Sequence, residues 1–120
     1  MNKQECINQI FKEIMFSKPD HPLTIVCCFH SRKDMQNFIQ SFYDKWKIKS
    51  HLETVTMSDC LSTTVLDNRI FFLHENYKNI DGLTPDLLFF QKRPFYYSNL
   101  VDVLKHKTLG LKHSEIYSFE

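Results

Sequence analysis

The stretch Leu23-Thr-Ile-Val-Cys-Cys-Phe29 limits the possible folds more than any other part of this chain. An unbroken run of β-branched and apolar residues is the pattern of a strand covered on both faces. A central strand therefore has to be flanked by layers on each side. Ile70 to Leu73 and Leu87 to Phe90 share this apolar character, so three such strands are expected to form the middle of one sheet. At 120 residues the chain has room for one core of this kind and not for two.

The segments between these strands read as helices and turns. Ile7, Ile10, Phe11, Ile14 and Met15 recur at helical spacing until Pro19 and Pro22 end the pattern. Ser31, with Asp34 three residues on, resembles a capping box that opens a second helix, along which Met35, Phe38, Ile39, Phe42 and Trp46 repeat. His51 to Thr56 reads as a half-polar strand, and Thr63 to Leu66 and Arg69 to His74 as a hairpin around an Asp67-Asn68 turn. Asp81-Gly82 and Thr84-Pro85 mark a loop before Leu87. Ser98 is a candidate cap for a last helix through His106, Gly110 breaks it, and Ile116 to Phe119 can add a short strand. The alternation predicts an α/β fold. Its form is a small, mostly parallel sheet with one antiparallel hairpin and helices on both faces, a Rossmann-like three-layer arrangement.

Composition narrows the functional classes. Fifteen basic residues stand against 14 acidic ones, a formal net charge of +1, which argues against a strong electrostatic engine for nucleic acid or an acidic membrane. The longest apolar runs are far below the roughly 20 residues of a membrane helix. Cys6, Cys27, Cys28 and Cys60 follow no secretory signal, so reduced thiols and an intracellular site, cytoplasmic or nuclear, are expected. There is no Ala and only two Gly, while Phe, Lys, Ile and Asn are abundant, which matches AT-rich codon usage such as that of some large DNA viruses, AT-rich bacteria and parasites.

In sheets of this class ligands bind beyond the carboxyl ends of the strands, at Phe29 to Arg32, Leu73 to Asn76 and Phe90 to Arg93. His30, Ser31, Arg32 and Lys33 stand at a strand end that opens a helix, where free N–H groups and two cations can hold an anion. The competing reading is a Ser31 cap followed by solvated first-turn residues. No glycine-rich phosphate loop occurs at this strand. Cys27, Cys28, His30, Cys60 and His74 carry zinc-type ligand atoms, but adjacent strand residues point to opposite faces and no CxxC pair is present. A phosphatase loop fails on spacing, since Arg32 follows Cys27 by five positions and Cys28 by four. Asp59, Asp67, Glu75, Asp81 and Asp86 fall mostly in turns, where Asp bonds to its own backbone. Neither metal nor cofactor is expected.

Lys92, Arg93, Phe95, Tyr96 and Tyr97 interleave cations with aromatic rings and form the expected partner-binding segment. The same rings could instead cover a sheet edge. A protein partner fits the near-zero net charge better than single-stranded nucleic acid does. An apolar excess around Phe89 to Tyr97 is also compatible with a dimer.

From Leu23 to Lys92 the order of elements resembles the middle of a P-loop ATPase core of the viral terminase and helicase type. Thr24-Ile-Val-Cys-Cys-Phe-His-Ser-Arg32 matches its strand, polar turn and helix start. Thr64-Val-Leu-Asp-Asn-Arg-Ile-Phe-Phe72 matches its hairpin, and Asp81-Gly82-Leu-Thr-Pro-Asp-Leu-Leu-Phe-Phe90 its turn into the Walker B strand. The resemblance implies a degenerate member, because residues 1–22 hold no Walker A loop and Gln91-Lys92 stands where the acidic pair belongs. Without those groups the charge of phosphoryl transfer has no stabiliser. The leading expectation is a non-enzymatic, virus-type α/β domain that binds a protein. The alternatives are a nucleotide- or phosphate-binding enzyme using His30 to Arg32 and a single-stranded nucleic-acid binder.

Overall fold

The computed structural model describes residues 1–18, 20–46, 53–56, 60–74, 84–92, 104–105 and 115–120. Helix α1 spans Lys3–Met15 and begins with a reciprocal capping box. Asn2 Oδ1 accepts the Glu5 N–H at 2.8 Å, and Glu5 Oε1 accepts the Asn2 N–H at 3.2 Å. Two backbone donors that the first turn leaves without helical partners are thereby satisfied. Helix α2, Arg32–Trp46, starts as its sequence suggests, with Ser31 Oγ accepting the Asp34 N–H at 3.1 Å.

Six strands follow the order β2-β3-β4-β1-β5-β6. They are β1 Thr24–Phe29, β2 Glu53–Thr56, β3 Cys60–Val65, β4 Asn68–His74, β5 Leu87–Gln91 and β6 Glu115–Phe119. Strand β1 pairs in parallel with both β4 and β5, and β5 pairs in parallel with β6, while β2, β3 and β4 form an antiparallel meander. The expected mixed α/β sheet is therefore present, with its three apolar runs side by side.

Period-two alternation sends the strand side chains to two separate cores. Ile25, Cys27, Phe29, Ile70, Phe72, Leu87, Phe89 and Phe119 meet the buried stripes of both α1 and α2. Val26, Cys28, Leu73 and Leu88 face the other way and meet Leu104, one of two described helical residues on that side. Its neighbour Lys105 places Nζ 4.3 Å from the centre of the Phe90 ring. The rest of the expected Ser98–His106 helix lies outside the described residues. Cys27 and Cys28 do point to opposite faces. Burial pushes the Cys6 thiol up to about 12 and raises Cys27 well above the ordinary thiol range, as a small apolar side chain in a dry core should behave. Among the described residues no His, Cys, Asp and Glu side chains gather into a group able to hold a metal, and no helix is long and apolar enough to cross a membrane.

The hairpin departs by one residue from the expected register. Its turn is Leu66-Asp67, with φ of 49° and 68°, and Val65 pairs with Asn68. Because Ile70 and Phe72 point into the α-helical face, Asn68 two residues earlier must point there too, so it cannot serve as a solvated turn residue. It is fully buried instead. Its Oδ1 accepts the Leu23 N–H at 2.8 Å, and its Nδ2 is shared among Ser17 Oγ at 3.1 Å, Val65 O at 3.2 Å and Leu66 O at 3.0 Å. One carboxamide thus ties the end of α1, the entry to β1 and the hairpin turn. Replacing Asn68 with Ala should lower urea-unfolding stability by about 2 to 4 kcal/mol, since it orphans several buried groups at once. Asn68→Asp keeps only the Leu23 contact and should cost at least as much, whereas Asp67→Asn at the exposed turn should stay within about 0.5 kcal/mol.

Candidate functional site at the strand ends

A cleft of about 150 Å³ opens at the carboxyl ends of β1, β5 and β6, where α1 and α2 both begin. Its apolar floor is Phe29, Phe38 and Phe119, whose ring centres lie 5.0 to 5.6 Å apart. Lys3 from the first turn of α1, Asp34 and Asn37 from α2, Gln91 from the end of β5 and Glu120 after β6 supply the polar rim. The tail reaches this point because β6 pairs along β5 and the Glu120 N–H then donates to Met1 O at 2.9 Å.

Gln91 is the pivotal rim residue. Its Oε1 accepts the His30 N–H at 3.0 Å, bridging the first residue beyond β1 to the last residue of β5. The following Lys92 N–H donates to Phe119 O at 2.6 Å, which draws β6 against the same strand end. The crevice between neighbouring parallel strands, where a ligand would enter, is thus crossed by the chain's own hydrogen bonds. One ammonium, Lys3, faces two carboxylates, Asp34 and Glu120, so the rim does not form an anion cradle.

The sequence-derived candidates fall differently around this cleft. His30 and Ser31 are half-buried at its edge, and the Ser31 hydroxyl and carbonyl accept the Asp34 and Met35 N–H groups, which makes it a working helix cap. Arg32 and Lys33 are exposed on the first turn of α2 and do not line the cleft. Lys92 is exposed beyond β5, whereas Arg93, Phe95, Tyr96 and Tyr97 lie outside the described residues. Phe89, counted with them as an apolar excess, is fully buried and stacks on Tyr117 at 4.9 Å, so it serves the core and not a surface. Lys3, Asn37 and Glu120 carry no local signal, because only the tertiary fold brings them to Gln91. Asp34 was legible only as a capping partner.

No family model matches the sequence, and no curated protein matches it. Solved structures do. The large terminase of bacteriophage HK97 superposes with a TM-score of 0.69 at 13% identity, covering 98% of this chain and 26% of that one. The large terminase of a thermophilic bacteriophage, in complex with ATP-γ-S, gives 0.64 at 10% identity, covering 94% of this chain and 28% of that one. The fold is terminase-like. At these identities the likeness is one of fold, and this chain spans little more than a quarter of those proteins.

Gln91 is the last residue of β5, and the sequence resemblance set Gln91-Lys92 where a Walker B acidic pair would stand. Gln91→Ala should cost about 1 to 2 kcal/mol by taking the acceptor from the His30 N–H. Gln91→Glu keeps an acceptor oxygen there and should cost less than half as much in chemical denaturation. Equal losses in the two variants would show that the bridge is not what Gln91 contributes.

Proposed function

We propose that this chain is a non-enzymatic α/β binding domain on a degenerate, terminase-like ATPase scaffold, acting by contact with a protein partner. The observation that carries the reading is the Gln91–His30 bridge at the end of β5. Phosphoryl transfer requires carboxylates that hold magnesium and orient the nucleophile at such a strand end. Here a neutral amide commits its oxygen to the backbone, and an ammonium follows it in Lys92. The cleft points the same way, since about 150 Å³ is half or less of the roughly 300 Å³ at which small-ligand sites begin.

Lys92, Arg93, Phe95, Tyr96 and Tyr97 are the proposed docking segment, whose first residue follows the end of β5. Exposed Lys92 marks where that segment begins. Cations interleaved with aromatic rings suit a partner surface that offers carboxylates and apolar side chains.

Thermal unfolding with Mg²⁺ and ATP-γ-S separates this reading from a nucleotide-binding enzyme. Ligand at 100 times its dissociation constant stabilises by about 2.7 kcal/mol, a rise of roughly 10 °C for a domain of this size, and no rise is expected here. Any saturable rise with nucleotide would overturn the proposal. The combined variant Lys92→Ala, Arg93→Ala, Tyr96→Ala should melt within about 1 °C of the parent and capture a protein partner more weakly than the parent does; undiminished capture would overturn the assignment.

A further inference from the structure

Strand β6 is last in the sheet order, so among the described residues one of its edges has no strand beside it. In a parallel ladder, alternate residues of a strand bond to opposite neighbours. The Glu115 N–H donates to Asp86 O and the Lys92 N–H to Phe119 O, so Glu115, Tyr117 and Phe119 are the residues that bond to β5. Ile116, Ser118 and Glu120 therefore turn their N–H and C=O groups outward. Glu120 already uses that edge, since its N–H donates to Met1 O at 2.9 Å. Among the described residues nothing pairs with the outward N–H and C=O groups of Ile116 and Ser118. Such an unpaired row is a template for an added strand.

The charge beside this edge is of one sign. Tyr117 Oη donates to Glu115 and lies 3.4 Å from Glu13 Oε1 of α1, so two carboxylates converge on one hydroxyl. Gln9 Nε2 donates to Glu13 Oε1 at 2.8 Å and to Tyr117 Oη at 3.4 Å, but it brings no charge. Among the described residues no cation comes within ion-pair distance of Glu13 or Glu115. The neighbouring ammonium groups are placed elsewhere: Lys3 on the cleft rim, Lys92 beyond the end of β5, and Lys105 over Phe90 on the opposite face. Lys12 precedes Glu13, is exposed, and points about 100° around the helix from it. The Tyr117 phenol registers the same imbalance, since Glu115 and Glu13 both raise it and no cation offsets them.

We propose that the outer edge of β6 is a strand-addition site for an extended segment of another protein, whose backbone pairs with Ile116 and Ser118 and whose Lys or Arg side chain meets Glu13 and Glu115. Tyr117 and Phe119 face the helical core while Ile116 faces the other way, so the added strand alternates, basic toward α1 and apolar beside Ile116. A second copy of β6 suits the edge poorly. Antiparallel pairing about Tyr117 would gather Glu13 and Glu115 of both copies around one axis, where like charges repel. The docking segment at Lys92 to Tyr97 is not part of this edge, and neither site depends on the other.

An eight-residue peptide of alternating Val and Lys, acetylated and amidated, is the probe, titrated into the full chain to about 1 mM and followed by amide NMR. Saturable binding that shifts the Ile116 and Ser118 amide signals is expected, with the Val–Glu counterpart at least about tenfold weaker. Methylation of every backbone nitrogen of the Val–Lys peptide keeps its charge and should abolish binding. Ser118→Pro removes one outward donor, which an edge strand tolerates, and should weaken binding at least about fivefold. Glu13→Gln combined with Glu115→Gln keeps the acceptors at Tyr117 and should weaken it about tenfold. The Lys92, Arg93, Tyr96 triple variant should bind the peptide within about twofold of the parent, which separates this site from the docking segment. Absence of saturable binding overturns the proposal. So does equal binding of the methylated or Val–Glu peptide, or binding indifferent to Ser118→Pro. A chain that dimerises through β6 would assign the edge to a second copy and equally overturn it.

Discussion

The buried carboxamide of Asn68 is the constraint on which the rest of the arrangement depends. Its contacts reach three elements that are distant in sequence: Ser17 after α1, Leu23 before β1, and the Val65-Leu66 end of β3. The parallel register of β1 on β4 starts beside it, with Thr24 opposite Arg69 and the Arg69 N–H donating to Leu23 O at 2.9 Å. A slip of one residue would turn Ile70 and Phe72 out of the helical core, so the amide contacts and the apolar pattern enforce the same alignment. From that alignment Phe29 arrives level with His74, and β1 is left with its other edge free for β5.

Much of this was legible in the sequence, for reasons that can be stated residue by residue. The three apolar runs identified the middle strands because they lack the alternation of a half-solvated sheet. Ser31 and Asp34 marked the start of α2 because a cap and its N–H partner are local. The hairpin was displaced by one position because Asp67 and Asn68 are both good turn formers, and only the inward phase of Ile70 and Phe72 assigns Asn68 to the core. Local chemistry favoured a turn there, and tertiary packing decided otherwise. The cleft was less legible still. Gln91 drew notice only as a departure from an acidic pair, and its bond to His30 joins residues 61 positions apart.

Edge strand β6 illustrates how polar contacts fasten a short element that a pattern reading can only suggest. Tyr117 stacks on Phe89 with an interplanar angle of 13°, and its hydroxyl donates to Glu115 while facing Glu13 of α1 at 3.4 Å. Burial raises the Tyr117 phenol above its usual range, and the hydrogen bond and charge of Glu115 act in the same direction. The neutral phenol is the form that these contacts stabilise. Their contribution is complete below the ordinary tyrosine range and fades as the pH rises through the elevated value.

The strand ends of this terminase-like fold are tied together by hydrogen bonds within the chain. Two carboxylates side by side at the end of β5 would repel each other and be poorly solvated, an arrangement that becomes favourable only when a cation is held between them. Gln91 carries no charge at that strand end and accepts the His30 N–H. Phe29, Phe38 and Phe119 pack ring against ring as the floor of the cleft beside it. On this chain the one disfavoured backbone conformation among the described non-glycine residues lies at Leu66 and Asp67, a full strand length from the cleft, where it presents a side chain to solvent.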